Sequence, residues 1–112
     1  MRLEILLVVD NEAIAQTLSA TLRRAGHRVT ASTTIAGTVE TLMRRGPYVD
    51  VIMTSTRFDN SLGDDAIQYG RKFAAKARFV VLHQLPGGVE DIELALARQA
   101  IPTRLQTTGG WN

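Results

Sequence analysis

The chain has 112 residues, 45% of them hydrophobic and 21% charged, with a formal net charge of +2 and no cysteine. That length buries one core and not two, so a single domain over 1–112 is expected. Disulfides and thiolate metal sites are excluded. No apolar run approaches the roughly 20 residues that span a bilayer, and so small a net charge carries little weight for nucleic-acid binding.

The start, "MRLEILLVVD", is a short apolar run leading to Asp10 without a small-residue cleavage site, and it reads as a first strand over Leu3 to Val9 rather than a signal peptide. A first helix is expected over Glu12 to Ala25, with Ile14, Leu18 and Leu22 on one face and Gly26 as its left-handed stop. His27 to Ala31 reads as a second strand. Ser32 or Thr33 is expected to cap a second helix whose buried stripe is Ile35, Val39, Leu42 and Met43, ending in a solvated Arg44, Arg45 pair before Gly46.

The run from Val49 to Met53 is a third strand, and it leads into three hydroxyl residues, Thr54, Ser55 and Thr56. A third helix from about Gly63 or Asp64 places Ile67, Gly70, Phe73 and Ala74 inward, and Phe79 to Leu82 is a fourth strand. After "QLPGG", a fourth helix over about Val89 to Gln99 carries Glu90, Asp91 and Glu93 in its first turn. Pro102 ends it, and "TRLQT" is a short fifth strand.

Strands alternating with helices, the first three strands apolar on both faces, imply an α/β fold: a parallel sheet covered on both sides. Ligands of such sheets sit at the carboxyl ends of the strands, where strand order reverses. The residues there are Asp10 and Asn11, the stretch from Ser55 to Asn60, His83, and the tip of the fifth strand.

These stretches resemble the receiver domain of two-component response regulators over essentially the whole chain. "ILLVVDNEAIAQTLSATLRRAGHRV" is similar to the family's opening "ILVVDDE" and the helix and strand that follow it, and "DVIMTSTRFDNSLG" overlays without a gap on "DLVLLDIRMPGMDG". The resemblance implies a flavodoxin-like (CheY-like) sheet of five parallel strands in the order 2-1-3-4-5, with helices on both faces. It also implies a pocket, of which this chain retains Asp10 alone. Asn11 replaces the second acid of the Mg²⁺-binding pair, and Ser55 stands where the family has its phospho-acceptor aspartate. His83 occupies the place of the switch hydroxyl. Gln106 is the best match to the invariant lysine, no lysine following Lys76, and Arg57 lies in the loop beyond Ser55.

The family's chemistry needs a carboxylate to take the phosphoryl group and acidic ligands to hold the metal that offsets its charge. A lone carboxylate with an amide is a poor Mg²⁺ site. The expectation is therefore a pseudo-receiver: no cofactor, no metal and no catalytic activity, a cytoplasmic interaction module for signalling proteins. The chain ends where the family's fifth helix would begin. Either it is part of a longer protein, or a second copy covers the surface left open, as a homo-oligomer.

Rival readings are weaker. Ser55, His83 and Asp10 superficially match a hydrolase triad, but "MTSTR" supplies neither a G-x-S-x-G elbow nor an oxyanion hole. Phosphorylation of Thr54, Ser55 or Thr56 by another kinase, or a small anion near Arg57, is allowed without being favoured. Arg23, Arg24, Arg28, Arg44 and Arg45 come with no helix-turn-helix or stacking aromatics, so solvated helix ends are expected rather than a nucleic-acid surface.

Overall fold

Apolar side chains on both faces of a strand are stable only between two covering layers, and the first strand obeys this. A computed structural model of the chain describes residues 2–55 and 61–82. Its elements are β1 (Glu4–Val8), α1 (Glu12–Arg24), β2 (Arg28–Ser32), α2 (Ile35–Arg45), a 3-10 turn (Gly46–Tyr48), β3 (Val51–Ser55), α3 (Ser61–Phe73) and β4 (Arg78–Leu82). The strands form one parallel sheet in the order β2-β1-β3-β4. This is the flavodoxin-like order expected from the sequence; the expected fourth helix and fifth strand lie outside the described residues.

Alternation along β1 divides the core. Ile5 and Leu7 join Leu18 and Leu22 of α1, Val29, Val51, Met53 and Val80 on one face. Leu6 and Val8 join Leu42 of α2, Ile52, Ala66 and Ile67 of α3, and Phe79 on the other. Each fully buried Leu, Ile or Phe contributes about 1.5–3 kcal/mol, so these two clusters supply the main driving force for folding.

The chain turns as the residues dictate. Gly26 follows α1 at φ +97°, a conformation that only glycine adopts without strain. Helix α3 buries Ile67 and Gly70, and Ala74 just beyond its end is buried too, as the spacing predicts, while Phe73, also expected inward, is half-buried.

Helix α2 departs from expectation. Its N-cap is Thr34, not Ser32 or Thr33: Thr34 Oγ1 accepts from Gly37 N at 3.0 Å. Ser32 is instead the hub of a buried hydroxyl relay, donating to Thr34 O at 2.9 Å and accepting from Thr38 Oγ1 at 3.0 Å. Thr38 and Thr41 are buried with Leu42, which is inward as expected, and Val39 is half-buried, whereas Ile35 is 43% and Met43 66% exposed, so the expected stripe holds at Leu42 and fails at Ile35 and Met43.

Arg45 is not a solvated helix end either. Its guanidinium grips Glu4 through Nε at 3.0 Å and a terminal nitrogen at 2.8 Å, and it lies 4.7 Å above the Tyr48 ring. The Glu4 bond raises the already high pKa of this arginine, so it is charged at every pH at which the protein folds. Asp50 completes the clasp. Its carboxylate accepts from Glu4 N at 2.8 Å and pairs with Lys76 at 3.4 Å, while its backbone bonds Glu4 O and Arg78 N.

Gly46 is required by a close approach, since a Cβ there would overlap the backbone carbonyl of Phe73 at the end of α3. Backbone cannot step aside as a side chain can. Gly46→Ala should therefore destabilise the protein by about 1–3 kcal/mol, seen as a lowered urea midpoint. Gly70→Ala, whose Cβ meets the Phe79 ring at 2.7 Å, should cost a similar amount.

Candidate functional site

Parallel strands running one way, joined by helices running back, give the domain two chemically distinct edges. At the carboxyl edge Val8 pairs with Thr54 and Ser55 pairs with Leu82, so Asp10, two residues beyond Val8, and Ser55 finish at the same side of the sheet. Positions 10, 11 and 55 thus converge where the strand-end rule places a site. Arg57, His83 and Gln106, the other residues singled out in the sequence, lie outside the described residues.

Asp10 and Asn11 differ in what they do. Asp10 is exposed. Asn11 is the N-cap of α1: its φ and ψ are extended and its Oδ1 accepts from Ile14 N at 3.0 Å. The side-chain oxygen that could face a cation is thus engaged by the helix. Glu12 follows in the first turn of α1 and is exposed, where the helix dipole favours a carboxylate. Among the described residues no three acidic or histidine side chains gather as a metal cluster. One carboxylate, one committed amide and a serine do not fit Mg²⁺, a hard cation that takes several charged oxygen ligands.

The hydroxyl run is also more structured than the sequence implies. Strand β3 continues through Thr54 and Ser55, and Thr54 is only 2% exposed. A kinase could not reach the Thr54 hydroxyl in the folded domain, which removes one of the three hydroxyls considered as modification sites.

The residues missed by sequence reading lie at the opposite edge. Glu4, Asp50, Arg45 and Lys76 bind one another across the strand starts, and their separations of 26 to 46 positions leave no local pattern to detect. Buried His27 belongs there too, accepting from Leu3 N at 3.1 Å through Nδ1. A polar residue just before each apolar run was the available hint.

No protein-family model matches this chain, and neither does any curated protein. Solved structures do match. The receiver domain of the hybrid histidine kinase CckA superposes with a TM-score of 0.72 at 15% identity, over 88% of this chain and 99% of that one. The fold is the receiver fold. A receiver domain of a sensor histidine kinase from Pseudomonas aeruginosa, crystallised with a magnesium ion in its active-site cleft, gives 0.63 at 22% identity, covering 89% and 98% of the two chains. The non-phosphorylated HemR receiver domain from Leptospira biflexa gives 0.58 at 28% identity, covering 80% and 71%. Among the described residues no helix is long and apolar enough to cross a membrane.

The cap gives a direct test of what position 11 does in this receiver fold. Asn11→Ala should cost about 0.5–2 kcal/mol in urea unfolding, whereas Asn11→Asp keeps the cap, sets a second carboxylate beside Asp10, and should cost less than Asn11→Ala.

Proposed function

We propose that this chain is a receiver-type module of two-component signalling that has lost His-Asp phosphotransfer and acts through contacts with partner proteins. The reading rests on the fold together with one observation at the carboxyl edge: Ser55 ends β3 beside the strand that leads to Asp10 and Asn11, with the Asn11 oxygen held by Ile14 N.

Chemistry supports it. A carboxylate that attacks a phosphohistidine forms an acyl phosphate, a labile group that can be written and erased. A serine hydroxyl would have to lose its proton to attack and would form a stable ester. Charge works in the same direction, because phosphoryl transfer gathers negative charge that a bound metal offsets, and the metal needs carboxylates that positions 11 and 55 lack. Magnesium sits in the cleft of the Pseudomonas aeruginosa domain. Here the same fold carries a donor set unsuited to it.

In this reading the chain is a non-enzymatic, cytoplasmic module whose partners recognise its surface, and a second copy of the chain is one such partner. A serine hydrolase is disfavoured by the same stretch, since β3 runs in register with β4 through Ser55 instead of breaking into an elbow.

Incubation with acetyl phosphate and Mg²⁺, followed by intact-mass measurement, should leave the mass unchanged. A phosphoryl adduct that hydroxylamine removes would overturn the proposal, since it would reveal an acyl phosphate on another carboxylate. An ester-hydrolysis assay should show no turnover that Ser55→Ala abolishes.

A further inference from the structure

The amino edge of the sheet, opposite Asp10 and Ser55, collects positive charge from every side. The last turns of the three described helices contribute Arg23 and Arg24, Arg44 and Arg45, and Arg71 and Lys72. The strand starts add Arg2 and Arg28 on one side and Lys76 and Arg78 on the other. These are all the lysines and arginines among the described residues. The carboxyl edge, about 17 Å away along a five-residue strand, holds Asp10, Glu12, Asp64 and Asp65 and none of the cations.

Acidic residues offset three of these ten cations. Glu4 and Asp50 are bound into the clasp with Arg45 and Lys76, and Glu40, midway along α2, lies 3.6 Å from Arg44. The helix dipole favours a cation in a last turn and accounts for six of the ten. It does not act on Arg2, Arg28, Lys76 or Arg78, which sit at strand starts. Lys76 pairs with Asp50, and Arg2 and Arg28 at the starts of β1 and β2 add charge to the edge beyond the helix-end preference.

We infer that this amino edge is a docking surface for the sugar-phosphate backbone of a nucleic-acid duplex. Arginine predominates there, and its planar fork pairs with phosphate oxygens two at a time. The cations come from separate elements spread across the edge, which suits an extended polyanion better than a single phosphate. Arg2, Leu3 and Arg28 line an open depression of about 310 Å³ together with the engaged Glu4 and Asp50. Among the described residues no recognition helix accompanies the surface, so the binding proposed reads charge and shape and not base sequence. The inference does not depend on the state of the carboxyl-edge site, which lies at the other end of the strands.

Fluorescence anisotropy of the full chain with a short labelled DNA duplex of mixed sequence tests it. Binding should be measurable at about 50 mM salt and should weaken steeply towards 200 mM, with a log–log slope of about 0.9 for each phosphate contact. The combined variant Arg28→Ala, Arg44→Ala, Arg71→Ala should bind at least about tenfold more weakly and lower the slope by about 0.9 for each arginine that meets a phosphate. Asp64→Ala at the far edge should not weaken binding. The urea midpoint of each variant confirms folding, and Arg28→Ala alone carries the test if the combined variant does not fold. Absence of binding at low salt, equal binding by the folded variants, or binding to phosphatidylserine vesicles without binding to the duplex would each overturn the inference.

Discussion

Strand β1 is hemmed in on four sides: β2 and β3 pair with its two edges, the α1 core lies on one face and the α2–α3 core on the other. A register slip of one residue would exchange Ile5 and Leu7 with Leu6 and Val8 between two cores shaped for different neighbours. With β1 fixed in this way, β3 is fixed through Val8 and Thr54, and β4 through β3. Polar chemistry is excluded from the middle of the sheet and has only the two ends of the strands to occupy. This is why both the candidate site and the basic surface are strand-end features, and why they face opposite ways.

The two edges are held by different means. At the amino edge the clasp of Glu4, Asp50, Arg45 and Lys76 ties the starts of β1, β3 and β4 to the end of α2 with charge-assisted bonds. The Glu4 side chain is only 14% exposed, and its second role, giving backbone bonds to Asp50, makes it the point where strand pairing and helix docking meet. The carboxyl edge is held by uncharged bonds instead, the Asn11 cap at the start of α1 and the Ser32, Thr34 and Thr38 hydroxyls where β2 passes into α2.

Periodicity made β1, α1, α3 and the Gly26 stop legible because each is decided locally, by apolar spacing or by one residue's backbone freedom. Helix α2 was legible at Leu42 and misread at Ile35 and Met43, because spacing alone could not show that Thr38 would meet the Ser32 hydroxyl on the buried face. Arg45 was misread for the same reason, its partner Glu4 being 41 positions away. Strand β3 was expected to give way to its hydroxyls, yet β-branched Thr54 suits a buried strand and carries the pairing on to Ser55. For the candidate site, the strand-end rule placed Asp10, Asn11 and Ser55 at one edge from sequence. That Asn11 caps α1 was beyond it, since the resemblance drew attention to a missing acid and not to a helix start.

If phosphotransfer is lost, as proposed above, the Asn11 cap bears on how the receiver fold keeps its shape. Asparagine and aspartate cap a helix almost equally, so the amide keeps the start of α1 in place while removing a charge. Crowded carboxylates at one strand edge repel one another and raise each other's cost of ionisation, a cost that a bound cation normally offsets. A chain with one carboxylate at Asp10, an amide at 11 and a hydroxyl at 55 avoids that repulsion without needing the cation. On the reading proposed here, the changes that disable the chemistry also relieve the fold of a strained acidic site, and the two-sided burial of β1 continues to hold the domain's shape for its partners.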